Sequence, residues 1–290
     1  MTMRWGAGCK WAGVAGGWAR RWVSSVAAAE EGDAGRSVAR RRPPVVLVHG
    51  FRVFSQDRQE ASLNTLEAAL RRRSFATHRF VYRPRDDTVH RHATALAEFI
   101  LGVLDDASRA GAVGLISHSF GGPLVRAAFN TPRWRREEAQ HSHVAVRCAM
   151  LAPPSRGSAL ARVLRPTAEK GIWSGAVNVF SETVLGTKAG LELASTEPDA
   201  SDRVFGPLPD YCEALVVAGD VGHANPILEG PSDGVVTVAE TMLYTPHLHL
   251  TLMAPHNLIA DHPAAVRAVI SFLECQPVPG ARHVARMSGQ

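Results

Sequence analysis

The sequence predicts an α/β fold with a mainly parallel, doubly wound sheet. Three observations carry this expectation. Short apolar runs alternate along the chain with stretches whose leucines and valines recur at helical spacing. The runs are continuously apolar, as strands covered on both faces are. The 290 residues are 46% hydrophobic and 20% charged, with a mean hydropathy of −0.05, so the chain can fill a core and is not disordered throughout.

The elements follow in order. After Pro43-Pro44, the run Val45-Val46-Leu47-Val48 reads as a first strand, ending at His49-Gly50. Leu63, Leu66 and Leu70 place a helix in 56–73, with Arg71 to Arg73 in its last turn, where cations suit the helix dipole. Thr77 to Tyr82 is a second strand. Val89, Leu96, Phe99, Ile100, Val103 and Leu104 mark an amphipathic helix. Ala112 to Ser117 is a third strand, and Pro123 to Phe129 a helix that Pro132 closes. Val144 to Ala152, Glu213 to Gly219 and Leu248 to Ala254 supply strands four to six. Asp261 and Pro263 announce a last helix with Val266, Val269, Ile270 and Leu273 on its apolar face. The stretch between strands four and five breaks the alternation. A structureless loop of such length is uncommon inside a domain. Val177, Phe180, Val184 and Leu185 suggest short helices there, so a small cap over the strand ends is expected within 155–210. The domain then spans 43–275, with 276–290 as a polar tail.

Charge is unevenly spread. Residues 1–42 hold eight of the 32 Lys and Arg and three of the 27 Asp and Glu, leaving 24 of each sign in the rest. The folded part has no net pull on a phosphate backbone, which argues against nucleic acid as a partner. Residues 1–29 contain no Asp or Glu. An acid-poor, Arg-bearing start of this kind resembles an organellar transit peptide, so a mitochondrial address is expected, with the chloroplast as another. A secretory signal and an untargeted extension are the rivals. No apolar run is long enough to span a membrane. Peripheral membrane contact through the Trp- and Arg-bearing leader stays open. Cys9, Cys148, Cys212 and Cys275 are far apart, which argues against a disulfide framework or a cysteine zinc cluster. The pairs His90/His92, His141/His143 and His247/His249 lack a nearby acid or cysteine cluster, so no metal is expected.

The sharpest feature is Ile116-Ser117-His118-Ser119-Phe120-Gly121-Gly122, between a strand and a helix. That is the setting of a nucleophile elbow, in which a sharp turn exposes a serine hydroxyl. Residues two before and two after must be small, because strand and helix backbones nearly touch. Gly121 meets this; Ser117 stands where glycine is usual. Acyl transfer builds negative charge on a carbonyl oxygen, so fixed N–H donors are needed. The N–H groups of Phe120, after the serine, and Phe51, after the first strand, are the candidates. A serine also needs a base and an orienting carboxylate, which follow such an elbow in the order acid, then histidine. Asp233, in Gly230-Pro231-Ser232-Asp233-Gly234, and His256, in Ala254-Pro255-His256-Asn257, are the choices. Asp220 competes with Asp233, but it ends a strand and suits a local backbone bond. His262 competes with His256, but it sits at a helix start.

Taken together, residues 43–275 resemble the α/β-hydrolase superfamily, and within it small lipase-like or esterase-like serine hydrolases. The resemblance rests on His49-Gly50-Phe51-Arg52, Tyr82-Arg83-Pro84, the Ser119 elbow, Leu151-Ala152-Pro153-Pro154-Ser155-Arg156-Gly157-Ser158, Ala218-Gly219-Asp220, Ser232-Asp233-Gly234-Val235-Val236 and His256. It implies a triad Ser119–Asp233–His256, oxyanion donors Phe51 and Phe120, no cofactor and no metal. The implied activity is hydrolysis of a small-molecule or lipid carboxylic ester through an acyl-enzyme. An acyltransferase or thioesterase using the same serine, and a non-catalytic binding scaffold, stand as alternatives.

Overall fold

The computed structural model describes residues 42–51, 63–84, 86–106, 111–141, 144–163, 188–194, 196, 200–222 and 225–287. Residues 1–41 of the expected leader, Arg52, His143 and the cap positions Val177, Phe180, Val184 and Leu185 lie outside the described residues. The described strands are β1 (Val45–Val48), β2 (Thr77–Phe80), β3 (Ala112–His118), β4 (Ala145–Leu151), β5 (Cys212–Gly219), β6 (His247–Leu252) and β7 (Arg282–Val284). They form one sheet in the order β2-β1-β3-β4-β5-β6-β7. All neighbours are parallel except β7, which runs antiparallel to β6.

The central strands β1, β3, β4 and β5 are buried on both faces, and their side chains sort alternately into two cores. Val46, Val48, Val113, Leu115, Val146 and Met150 face one core, with α2 (Val89–Asp106), α3 (Gly121–Phe129) and Trp134 of α4 (Pro132–His141). Val45, Leu47, Ile116, Ala149, Leu151 and Leu215 face the other, under α1 (Asn64–Arg72) and α7 (Pro263–Leu273). Two short helices, α5 (Lys188–Ala194) and α6 (Ser201–Val204), lie in the insertion between β4 and β5.

This winding positions the site. From β1 the chain crosses by α1 to β2 on one side; from β3 it crosses by α3 and α4 to β4 on the other. The ends of β1 and β3 therefore part into opposite crossovers, which makes their C-termini the switch point where open α/β sheets take ligands. In register, Val48 lies beside Ser117, so the residues after both strands meet there.

Two expectations are corrected. Pro132 does not merely close the preceding helix; it opens α4. Asn130 ends α3, then the Thr131 hydroxyl accepts the Trp134 N–H at 3.1 Å, and Pro132 occupies the first turn, where its missing N–H costs nothing. Trp134 is the one buried side chain of α4, so no apolar stripe announced it. The polar tail also gives up residues 282–284, which pair with the edge of β6 as β7. Covering an edge by hydrogen bonds asks little of side-chain polarity.

Candidate active site

Ser119 follows β3 directly and takes a left-handed φ of 54°, rare for a residue with a side chain. Its N–H donates to the Leu151 carbonyl at 2.8 Å, and its own carbonyl accepts the Gly122 N–H at 2.9 Å as α3 begins. The turn is crowded. A Cβ on Gly121 would lie 2.5 Å from the Val48 carbonyl oxygen, and one on Gly50 would lie 2.6 Å from Ser119 Cβ. Both positions need glycine for close approach. Ser117 fits the second small position: it is buried, and its Oγ has no hydrogen-bond partner among the described residues.

Asp233 and His256 come from loops that follow β5 and β6. The structure brings them to Ser119. His256 Nε2 is 2.9 Å from Ser119 Oγ, and His256 Nδ1 is 2.7 Å from Asp233 Oδ2. All three side chains are buried. Asp233 Oδ1 accepts the Val235 and Val236 N–H groups at 2.9 and 2.7 Å, and the Asp233 carbonyl accepts the His256 N–H at 3.0 Å. A carboxylate that accepts from Nδ1 leaves the Nε2 lone pair to face the serine hydroxyl. The competitors are placed elsewhere. Asp220 Oδ1 accepts the Gly222 N–H at 2.7 Å, and His262 Nδ1 accepts the Ala264 N–H at 3.2 Å at the start of α7. Phe51 and Phe120, the expected oxyanion donors, lie together, their ring centroids 4.5 Å apart.

No family model and no curated protein matches the sequence. Solved structures do. The mature lipase BlEst2 of Bacillus licheniformis is 19% identical, covering 83% of this chain and 96% of its own, with a TM-score of 0.60. Its propeptide form is 19% identical, covering 85% of this chain and 53% of its own, with a TM-score of 0.61. Phospholipase PlaB of Legionella pneumophila is 20% identical, covering 80% of this chain and 59% of its own, with a TM-score of 0.50. The chain has the α/β-hydrolase fold.

Within this hydrolase fold, several bonds that support the site join segments far apart in the sequence. The Tyr82 hydroxyl donates to the His49 carbonyl at 2.9 Å, and its ring stacks on the His49 imidazole at 4.5 Å. His49 Nδ1 donates in turn to the Gly50 carbonyl at 2.9 Å. These bonds pin the peptide planes leading into Phe51. Burial drives the Tyr82 phenol well above its ordinary range, which keeps it a donor at any physiological pH. Arg126 of α3 is buried and reaches the insertion, donating to the carbonyls of Ser155 at 2.6 Å and Gly206 at 2.8 Å and pairing with Asp202. Burial lowers its guanidinium to about 10, so it stays charged at neutral pH. Glu240 accepts from the Ala159 N–H and from the N–H and hydroxyl of Thr237, joining the insertion to the loop that carries Asp233. Burial pushes its carboxyl up, against these donors, which favour the anion. Among the described residues no helix is long and apolar enough to cross a membrane, and no group of three His, Cys, Asp or Glu could hold a metal.

Proposed function

We propose that the chain hydrolyses carboxylic esters, with Ser119 as nucleophile, His256 as general base and acid, and Asp233 as the group that orients and charges the imidazole. The reading rests on the hydrogen-bonded line Ser119 Oγ–His256 Nε2–His256 Nδ1–Asp233 Oδ2, buried at the C-terminal ends of β3, β5 and β6. The fold's likeness to a lipase and a phospholipase supports a small-molecule or lipid ester as substrate.

The geometry supports the following steps. Ser119 Oγ attacks the ester carbonyl carbon as its proton passes to His256 Nε2. Asp233 stabilises the imidazolium without taking its proton. The N–H groups of Phe51 and Phe120 hold the carbonyl oxygen as it becomes an anion, each worth about 3 kcal/mol in reactions of this type. The imidazolium then protonates the leaving alcohol, and the acyl group stays on Ser119. Water enters, gives its proton to His256 and attacks the acyl carbon, releasing the acid and restoring the serine. The chemistry calls for neither metal nor organic cofactor.

A fluorophosphonate probe tests this directly. It should label the protein at Ser119, and Ser119→Ala should lose both the label and the turnover of p-nitrophenyl esters, by about 10⁴-fold or more. Labelling that survives in the Ser119→Ala protein would overturn the assignment.

A further inference from the structure

We propose that His118 is a positioning residue that ties His256 to the nucleophile strand. The inference rests on the ester-hydrolase reading and deepens it. His118 ends β3 and directly precedes Ser119. It is buried, with 4% of its surface exposed. Its Nε2 lies 3.1 Å from the backbone carbonyl oxygen of His256, and the two rings are 5.2 Å apart. A carbonyl oxygen only accepts, so His118 must carry its proton on Nε2 and donate it.

The topology gives this bond its purpose. Ser119 follows β3, whereas His256 follows β6, and β4 and β5 lie between those strands in the sheet. The gap from nucleophile to base is therefore set through three inter-strand spacings of about 4.8 Å each. Proton transfer needs the Oγ–Nε2 separation held far more tightly than that, since a displacement of about 1 Å can cost about a hundredfold in rate. The Asp233 carbonyl holds the His256 N–H at 3.0 Å. His118 holds the carbonyl of the same residue. Both backbone groups of His256 are thus fixed. The carbonyl is held by the residue next to the nucleophile, so base and nucleophile move together.

The test compares three variants. His118→Gln can present an amide N–H near the Nε2 position, His118→Asn only nearer Nδ1, and His118→Phe presents no donor. The readouts are kcat, KM, the rate of fluorophosphonate labelling, and the low-field proton resonance of His256 Nδ1 in the free protein. His118→Phe and His118→Asn should lower kcat and labelling about 10- to 100-fold with KM within about twofold, and should broaden the Nδ1 resonance. His118→Gln should stay within about threefold of the parent and keep the resonance sharp. Parent-like kcat and resonance in His118→Asn overturn the proposal, and so does a His118→Gln protein as impaired as His118→Asn. If His118→Phe does not fold, the Gln and Asn pair decides. A parent protein without ester turnover would fail the ester reading, while the Nδ1 resonance across the variants still decides whether His118 holds His256.

Discussion

On the β1–β3 side of the site, steric closeness places the nucleophile; on the β5–β6 side, where Gly219 also lets Ala254 and Asp233 approach closely, polar bonds set the acid and the base. Ser119 is placed by steric closeness: a left-handed φ of 54° and a helix start packed so tightly on β1 that only glycine fits at 121. Asp233 and His256 are placed by polar bonds: two N–H groups on Asp233 Oδ1, one imidazole on Oδ2, and the Asp233 carbonyl on the His256 N–H. The difference teaches where each half is vulnerable. The steric half fails by losing its fold. The polar half fails by losing its proton arrangement while keeping its fold.

The largest expected effect tests the polar half. Asp233→Asn should lower kcat/KM by about 10⁴-fold, because an amide N–H facing His256 selects the wrong imidazole tautomer. The amide oxygen can still accept from Val235 and Val236, so the melting temperature should change little. Asp220→Asn should remain within a few-fold of the parent, since the Asp220 carboxylate bonds only to the local Gly222 N–H among the described residues. Steady-state kinetics and thermal melts on both variants check this. A large fall in melting temperature for Asp233→Asn would erase the contrast, and a rate loss from Asp220→Asn would move the acid.

Next comes the steric half. Gly121→Ala brings a methyl group to within 2.5 Å of the Val48 oxygen, so β1 and α3 must separate. Overpacking of this kind costs about 1–3 kcal/mol. The urea midpoint should fall, and any remaining folded protein should label slowly. An unchanged midpoint would mean that the elbow is less crowded than its geometry indicates.

The last effect concerns β6, the strand leading to His256, and appears only on acidification. His247 and His249 are both buried there, bonded to the Thr245 carbonyl at 2.8 Å and to the Thr241 hydroxyl at 3.1 Å. Burial lowers both, and His249 to about 4. His249 stays neutral in the folded chain down to about pH 4, while in the unfolded chain it takes up a proton below about pH 6.5. The unfolded state therefore binds more protons, and stability should decline as pH falls from about 6.5 towards 4, by up to about 1.4 kcal/mol per pH unit for His249, with the lowered His247 acting in the same direction. Urea titrations at pH 7 and pH 5 measure it. His249→Gln should flatten part of that slope; an identical slope would assign the acid loss to other groups.

Local pattern carried far in this chain. The elbow lies within seven residues, because a strand, a strained turn and a helix start leave their signature in consecutive small side chains around Ser119. The continuous apolar runs of β1, β3, β4 and β5 announced a doubly covered sheet. His262 and Asp220 were separable from His256 and Asp233 by their immediate neighbours, a helix-opening proline in one case and a strand end in the other.

Other features arise only when distant segments meet. β7 is polar and becomes a strand because β6 offers it an unpaired edge. The helix opened by Pro132 has one apolar anchor, Trp134, whose Nε1 donates to the Tyr211 hydroxyl at 3.0 Å across 77 positions of sequence. The His49–Tyr82 clamp, the Arg126 bonds to Ser155 and Gly206, and the His118 bond to the His256 carbonyl each join residues 29 to 138 positions apart. Hydrophobic period and turn chemistry are properties of neighbouring residues, so the sequence displays them. A hydrogen bond across the sheet depends on which strands lie side by side, and only the folded chain decides that.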